Sequence, residues 1–299
     1  MARRGAVVLA LIIGVVLPGC AREPDRPPVA GPSVMDDWGR TVSLRAPALR
    51  VVSLAPATTE LVFALGAGER LVGRTTWCDF PAEAREVADV GNGIGPNVEA
   101  IAARRPDLVL LYPSESNRAA LAQLERLGIT VAVVEQDAIA EWRATARKVA
   151  VLLGVPAAAD SLLSDLDRRL AAAGLPSAAS RSPRPGVFIA VGANPPIAIG
   201  RGSFVSELVE LAGGRNAFED VPGPSAVVSL EAIVAKSPDM VLYLGADSAA
   251  PTIARRPGWS AIRAVRRGRV IGVEGSQFNR PSPRIPEAVT ELRRRLFAP

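Results

Sequence analysis

The chain has 299 residues, a net charge of +5 and no histidine, and only 4% of it is aromatic. The missing imidazole excludes His-based acid–base chemistry, Ser-His-Asp triads and most zinc sites. Its arginines are scattered with few aromatics among them, unlike the basic, aromatic-laced face that nucleic-acid binding asks for.

Arg3 and Arg4 precede an apolar run from Ala6 to Leu17. That run is too short for a spanning helix, which needs about 20 apolar residues. A basic flank, a short apolar stretch and small residues at its end make the pattern of a secretory signal, expected over 1–19. Leu17-Pro18-Gly19-Cys20 resembles a lipobox, which makes Cys20 the expected lipidation site and membrane anchor. Residues 20–33, rich in proline and charge, read as a tether. The other cysteine, Cys78, has no intrachain partner to spare and no histidine to activate it, so it reads as a buried structural thiol.

From Val34 to Leu44 two short runs flank a turn at Asp37-Trp38-Gly39, a hairpin pattern. Arg50–Ala55 reads as a buried strand. Thr58 or Thr59 is expected to cap the helix that carries Leu61, Val62 and Leu65, with Gly66 closing it. A strand at Leu71–Thr75, a turn at Asp79-Phe80-Pro81 and a short helix near Ala82–Glu86 follow. Gly91–Pro96 is glycine-rich but lacks the Lys-Ser/Thr of a phosphate-binding loop, and reads as a flexible cleft loop. Asn97 opens a helix, Leu108–Leu111 is a strand, Arg118–Leu127 a helix ended by Gly128, and Ile129–Val134 a strand. Strands alternating with helices predict a mainly parallel sheet.

Ile139–Leu153 and Ala157–Ala173 are helical patterns broken at Gly154-Val155-Pro156. The second has Leu162, Leu163, Leu166 and Leu170 on one face and would span about 25 Å, enough to join two domains stiffly. The strand–helix alternation restarts at Val187. VEAIAARRPDLVL (Val98–Leu110) and LEAIVAKSPDMVL (Leu230–Leu242) align without gaps, with eight of thirteen positions identical and a good N-cap, Asn97 or Ser229, before each. TELVFALGA from Thr59 and SELVELAGG from Ser206 match in the same way. The expected fold is α/β, with two similar lobes of mainly parallel central sheets joined by a long rigid helix. The lobes are placed at 34–138 and 186–299, with a helical linker over 139–175. A cleft between lobes is a common place to bury a small ligand. The arginines at 263, 266, 267 and 269 read as a solvated face.

Six strings, in order, resemble the class III periplasmic binding proteins of ABC importers for cobalamin, ferric siderophores and haem: RVVSLAPATTELVFALGAG, WCDFP, NVEAIAARRPDLVLLY, GANPPIAIGRGSFVSELVELAGGRN, VSLEAIVAKSPDMVL and SPRI. Asn194-Pro195-Pro196 and WCDFP bring the likeness nearest to the cobalamin-binding members. The resemblance implies a monomer that holds a corrinoid or an iron chelate between its lobes as cargo and hands it to a permease dimer. No resident cofactor, catalytic residue, metal ligand or nucleic acid is implied. It implies that Glu99 and Glu231, one per lobe and early in matching helices, meet arginines of the permease. It places Trp77, Tyr112, Ile197, Phe278 and Arg280 against the cargo, and finds Gly93, and Gly223 or Ser225, where the family has tryptophans. A haem cargo would look to Tyr112 or Tyr243 for an axial ligand, and an anionic siderophore to Arg280. Rival readings are an enzyme working in the same cleft and a cargo-free scaffold or sensor.

Overall fold

The computed structural model describes residues 31–173, 184–191, 195–245 and 250–298. The expected signal segment, Cys20, most of the tether and Asn194 lie outside the described residues. The chain begins with the hairpin β1 (Ser33–Met35) and β2 (Thr41–Ser43). Asp36, buried in its turn, accepts the backbone N–H groups of Trp38, Arg40 and Val133, which ties the hairpin to the sheet beyond.

That sheet is built from β3 (Val51–Ser53), α1 (Pro56–Ala64), β4 (Leu71–Arg74), α2 (Val98–Ala103), β5 (Leu108–Leu111), α3 (Arg118–Arg126) and β6 (Val131–Val133). It has four parallel strands in the order β4-β3-β5-β6. Then come α4 (Ile139–Leu152) and α5 (Pro156–Ala172). The second lobe comprises β7 (Gly186–Val191), β8 (Ile197–Ile199), α6 (Phe204–Leu211), β9 (Arg215–Asn216), β10 (Ser225–Val227), α7 (Leu230–Lys236), β11 (Met240–Leu244), α8 (Ala250–Ala254), α9 (Arg263–Arg266), β12 (Val270–Val273) and α10 (Ile285–Leu296). Its sheet is mixed: β9, β11 and β12 run parallel to β7, while β8 and β10 form an antiparallel edge. Among the described residues no helix is long and apolar enough to cross a membrane.

Strand alternation sorts the apolar side chains into layers. Val51, Leu108, Leu110, Val187, Ile189, Met240 and Leu242 face one shared core, joined there by Trp142 and Val149 of α4, Leu163, Leu166 and Leu170 of α5, and Ile285 and Leu292 of α10. Their neighbours Val52, Val109 and Leu111 point into an outer cluster of the first lobe, and Phe188 and Val241 into one of the second. Both lobes are therefore packed on the same helical layer. Ion pairs from α5 to its neighbours, Arg169 with Glu287 and Asp167 with Arg143, lie at its flanks.

The internal repeat is structural. Asn97 and Ser229 cap α2 and α7 by accepting the N–H of Ala100 and Ala232. Arg105 and Ser237 both take positive φ, 49° and 44°, in the turn that follows. The Pro-Asp pair then fixes strand register: Asp107 accepts the N–H groups of Leu49 and Arg50, and Asp239 accepts that of Gly186. Gly66 and Gly213 end α1 and α6 with φ of 72° and 96°, a backbone conformation cheap only for glycine.

Two local expectations are corrected and one is refined. Thr58 and Thr59 do not cap α1: Ala55 is the N-cap, Pro56 starts the helix, and both threonines turn inward to bond Ala55 O and Ser53 Oγ. Pro56 already has the φ and the missing N–H of a first helical position, so the cap lies three or four residues earlier, at Ala55. The Arg263–Arg269 cluster is solvated at Arg266 and Arg267, as expected, but it is also bonded to the protein. Arg263 pairs with Asp239, Arg266 donates to Ala261 O, and Arg269 donates to the carbonyls of Leu296 and Ala298. Gly91–Pro96 is pinned: buried Asn117 accepts Gly95 N–H and donates to Gly93 O and Tyr112 O.

Candidate functional site

The start of α1 and the start of α6 meet at one cleft. Ala55–Ala57 of the first lobe and Ser203–Val205 of the second line it, with Trp77, Asn92–Ile94, Tyr112, Gln136, Asp137, Pro224 and Asn279–Pro281 completing the wall. Its volume is about 660 Å³, well within the usual range for a small-molecule site. Most of the wall is apolar, and its polar groups are mainly neutral amides and hydroxyls. Gln136 is only 5% exposed, and its Oε1 has no hydrogen-bond partner. The first turn of α1 carries no side-chain cap, which leaves backbone donors at the cleft wall.

Trp77 is 67% exposed at this wall, an unusual position for an indole that has no core to fill. Its neighbour Cys78 is buried and contacts Thr59 Oγ1 at 3.0 Å and Thr75 Oγ1 at 3.1 Å, which roots the segment under α1. Tyr112, just past β5, donates its hydroxyl to Asp137 at 2.6 Å. Burial, the Asp137 hydrogen bond and the charges of Asp137, Glu135 and Glu141 push the phenol well above its ordinary value. Burial, with Glu141, Asp137 and Asp37, likewise raises the Glu135 carboxyl. This end of the cleft is acidic.

A charge node between lobes also borders the cleft, through Arg280. Arg280 donates to Glu60 at 2.7 Å and to Asp79 at 2.6 Å. Arg284 makes a two-pronged contact with the same Glu60, at 2.7 and 3.0 Å, and lies 3.9 Å over the Phe80 ring. The Glu60 side chain is 1% exposed. Burial raises the Asp79 carboxyl, but Arg280 and then Arg284 outweigh it and hold the group below its ordinary value. WCDFP and SPRI, far apart in sequence, are thus the two sides of one joint. Arg280 is the one cation among the described residues that line the cleft.

The expected cargo residues divide. Trp77, Tyr112 and Arg280 line the cleft together. Ile197 sits on β8 opposite Val227, outside that lining. Phe278 is corrected to a core residue: it is 2% exposed and packed in the shared hydrophobic cluster, because the short turn at Ser276–Phe278 aims its ring beneath α10. Gly93 lines the cleft, but a Cβ there would lie 2.1 Å from Leu54 O, so no larger side chain fits this backbone. Gly223, at φ 81°, and Ser225 flank Pro224, which does line the wall. Tyr243 packs against the outer cluster of the second lobe. Sequence reasoning missed Glu60, Asp79, Arg284, Asn117, Gln136 and Asp137. Glu60 carried a signal, since a carboxylate inside the otherwise buried PATTELVFA helix demands a partner.

Glu99 and Glu231 are exposed in the first turns of α2 and α7. Hydrogen bonds from its own backbone and from Ser229 hold the Glu231 carboxyl below its ordinary value. Among the described residues, no three cysteine, aspartate and glutamate side chains cluster as a metal site.

The family model described as periplasmic binding protein matches residues 51–275. An uncharacterized ABC transporter substrate-binding lipoprotein, YvrC of Bacillus subtilis, is 30% identical and aligns over 99% of this chain and 98% of its own. The vitamin B12-binding protein of Salmonella typhimurium is 32% identical over 81% of this chain and 88% of its own. The solved structure of the periplasmic heme-binding protein BhuT, in complex with two hemes, is 31% identical with a TM-score of 0.74, covering 83% of this chain and 97% of that one. The chain belongs to the periplasmic binding protein family and, within it, to the class III substrate-binding proteins of ABC importers that its sequence resembles.

Proposed function

We propose that this chain is an extracytoplasmic lipoprotein, anchored through Cys20, that captures cobalamin or a related corrinoid in the cleft and delivers it to an ABC permease dimer. The observation that carries the corrinoid choice is the charge inventory of the wall. Among the described residues its single cation, Arg280, already faces Glu60 and Asp79, and the other polar groups are neutral amides and hydroxyls beside the acidic Tyr112–Asp137 pair. A corrinoid presents a broad ring edged with neutral carboxamides, which need amide and backbone partners, not counter-ions. Exposed Trp77 offers flat apolar area at small entropic cost.

Haem is the second reading, favoured by the position of Tyr112 in the cleft and by the likeness to a heme-binding structure. Against it, an axial tyrosinate must lose a proton that burial, the Asp137 hydrogen bond and the neighbouring acids retain. Titrating the purified protein with cyanocobalamin, haemin and a ferric hydroxamate, followed by visible absorption and tryptophan fluorescence, separates the readings. Saturable binding of cyanocobalamin alone is expected; a tyrosinate-to-iron band with haemin, and no corrinoid binding, overturns the choice.

Docking rests on Glu99 and Glu231, exposed carboxylates at equivalent points of the repeat. Two charge-assisted contacts suit a two-fold permease and fix orientation. Reversing both, Glu99→Arg with Glu231→Arg, should abolish uptake in cells while cargo affinity in solution persists. Normal uptake by the double variant removes this role.

A further inference from the structure

The geometry points to Glu60 as a specificity-determining residue: by neutralising Arg280 and Arg284 from behind the cleft wall, it makes the cleft reject anionic cargo. This rests on the reading of the cleft as the cargo site, and it adds a residue that does not itself line it.

Three features near α1 would otherwise attract anions. Arg280 lines the cleft, Arg284 lies beside it, and the first turn of α1 presents uncapped backbone donors. Glu60 lies four residues into that same helix, and its carboxylate takes Arg280 and both prongs of Arg284. With Asp79 on the outer side of Arg280, the node holds two carboxylates and two guanidinium groups and carries no net charge. Among the described residues the cleft wall has no second cation to take over. The charge that cargo meets at Arg280 is therefore set by two carboxylates, and the buried one, Glu60, has its partners 220 and 224 residues away.

A simple lobe tie would also use such a node, so the test must read charge and not only stability. Glu60→Gln keeps the shape and an acceptor oxygen but leaves one uncompensated positive charge at the wall. Ferric citrate, a polyanion, and cyanocobalamin, a neutral corrinoid, are titrated into wild type, Glu60→Gln and Glu60→Gln/Arg280→Gln by isothermal calorimetry at low and high salt. The ferric citrate affinity of Glu60→Gln should rise about tenfold or more at low salt, fall again with salt, and return to wild type in the double variant. Should Glu60→Gln fail to fold, Asp79→Asn, at a half-exposed partner of Arg280, must show a smaller rise in the same direction. No rise in either variant, or a rise that survives loss of Arg280, overturns the proposal. Failure of wild type to bind cyanocobalamin counts against the corrinoid reading alone, because the anion arm reads independently of it.

Discussion

In α1 and α6 the repeated Glu-Leu-Val segment directs a glutamate away from its own lobe. Glu60 meets two guanidinium groups of the second lobe, whereas Glu207 meets a single backbone N–H, that of Ile139 at the start of α4. Burial raises the Glu207 carboxyl, Glu141 and Glu210 add to it, and the Ile139 hydrogen bond only partly opposes them. One duplicated position has thus become a charge-compensated joint in one half and a carboxyl that resists ionisation in the other. A buried acid is governed by what faces it, and two copies of one helix faced different neighbours.

The contrast can be broken most severely at Glu60. Glu60→Ala leaves two arginines without their buried counter-charge and should cost about 3–5 kcal/mol in urea denaturation. A loss below 1 kcal/mol would mean that water compensates the node. The strand-register aspartates probe what the lobes kept alike. Asp107→Ala abandons the backbone N–H groups of Leu49 and Arg50, and Asp239→Ala that of Gly186, for about 1–3 kcal/mol apiece. The loss at Asp239 should be the larger, since Arg263 then lacks its carboxylate and its buried Nε already has no partner.

The smallest effect has the opposite sign. Because folding raises the Glu207 carboxyl, its ionisation works against the folded state. That penalty is absent below the ordinary carboxylate value of 4.5, where the group is protonated in both states, and is complete above the raised value. Glu207→Gln keeps an oxygen for Ile139 and removes the penalty. Its Tm should exceed wild type at neutral pH, and the gap should close as pH falls toward 4.5. A constant gap across that range would show that charge is not the cause.

Much of the fold was legible because it is written in local patterns. The apolar run at Leu108–Leu111 and the restart at Val187 made buried strands, Asn97 and Ser229 made caps, and the Pro-Asp repeat marked two equivalent strand starts. The antiparallel edge at β8 and β10 was not legible, since short strands carry no sign of their direction. Trp77, Tyr112 and Arg280 were brought to one wall, whereas Phe278 went to the core because a short turn, not its residue type, chose its direction. Gly93 gave no hint from sequence that Leu54 O fills the space of a side chain.

By itself the sequence determined two α/β lobes, the helical layer that joins them and the family to which they belong, because periodicity, caps and repeated strings act over a few residues at a time. Only the tertiary structure decided that WCDFP and SPRI form one joint and that the charge of Arg280 at the cleft is balanced by Glu60. Those pairings join residues more than two hundred positions apart, where electrostatics depends on distance in space and on burial, neither of which a linear spacing records.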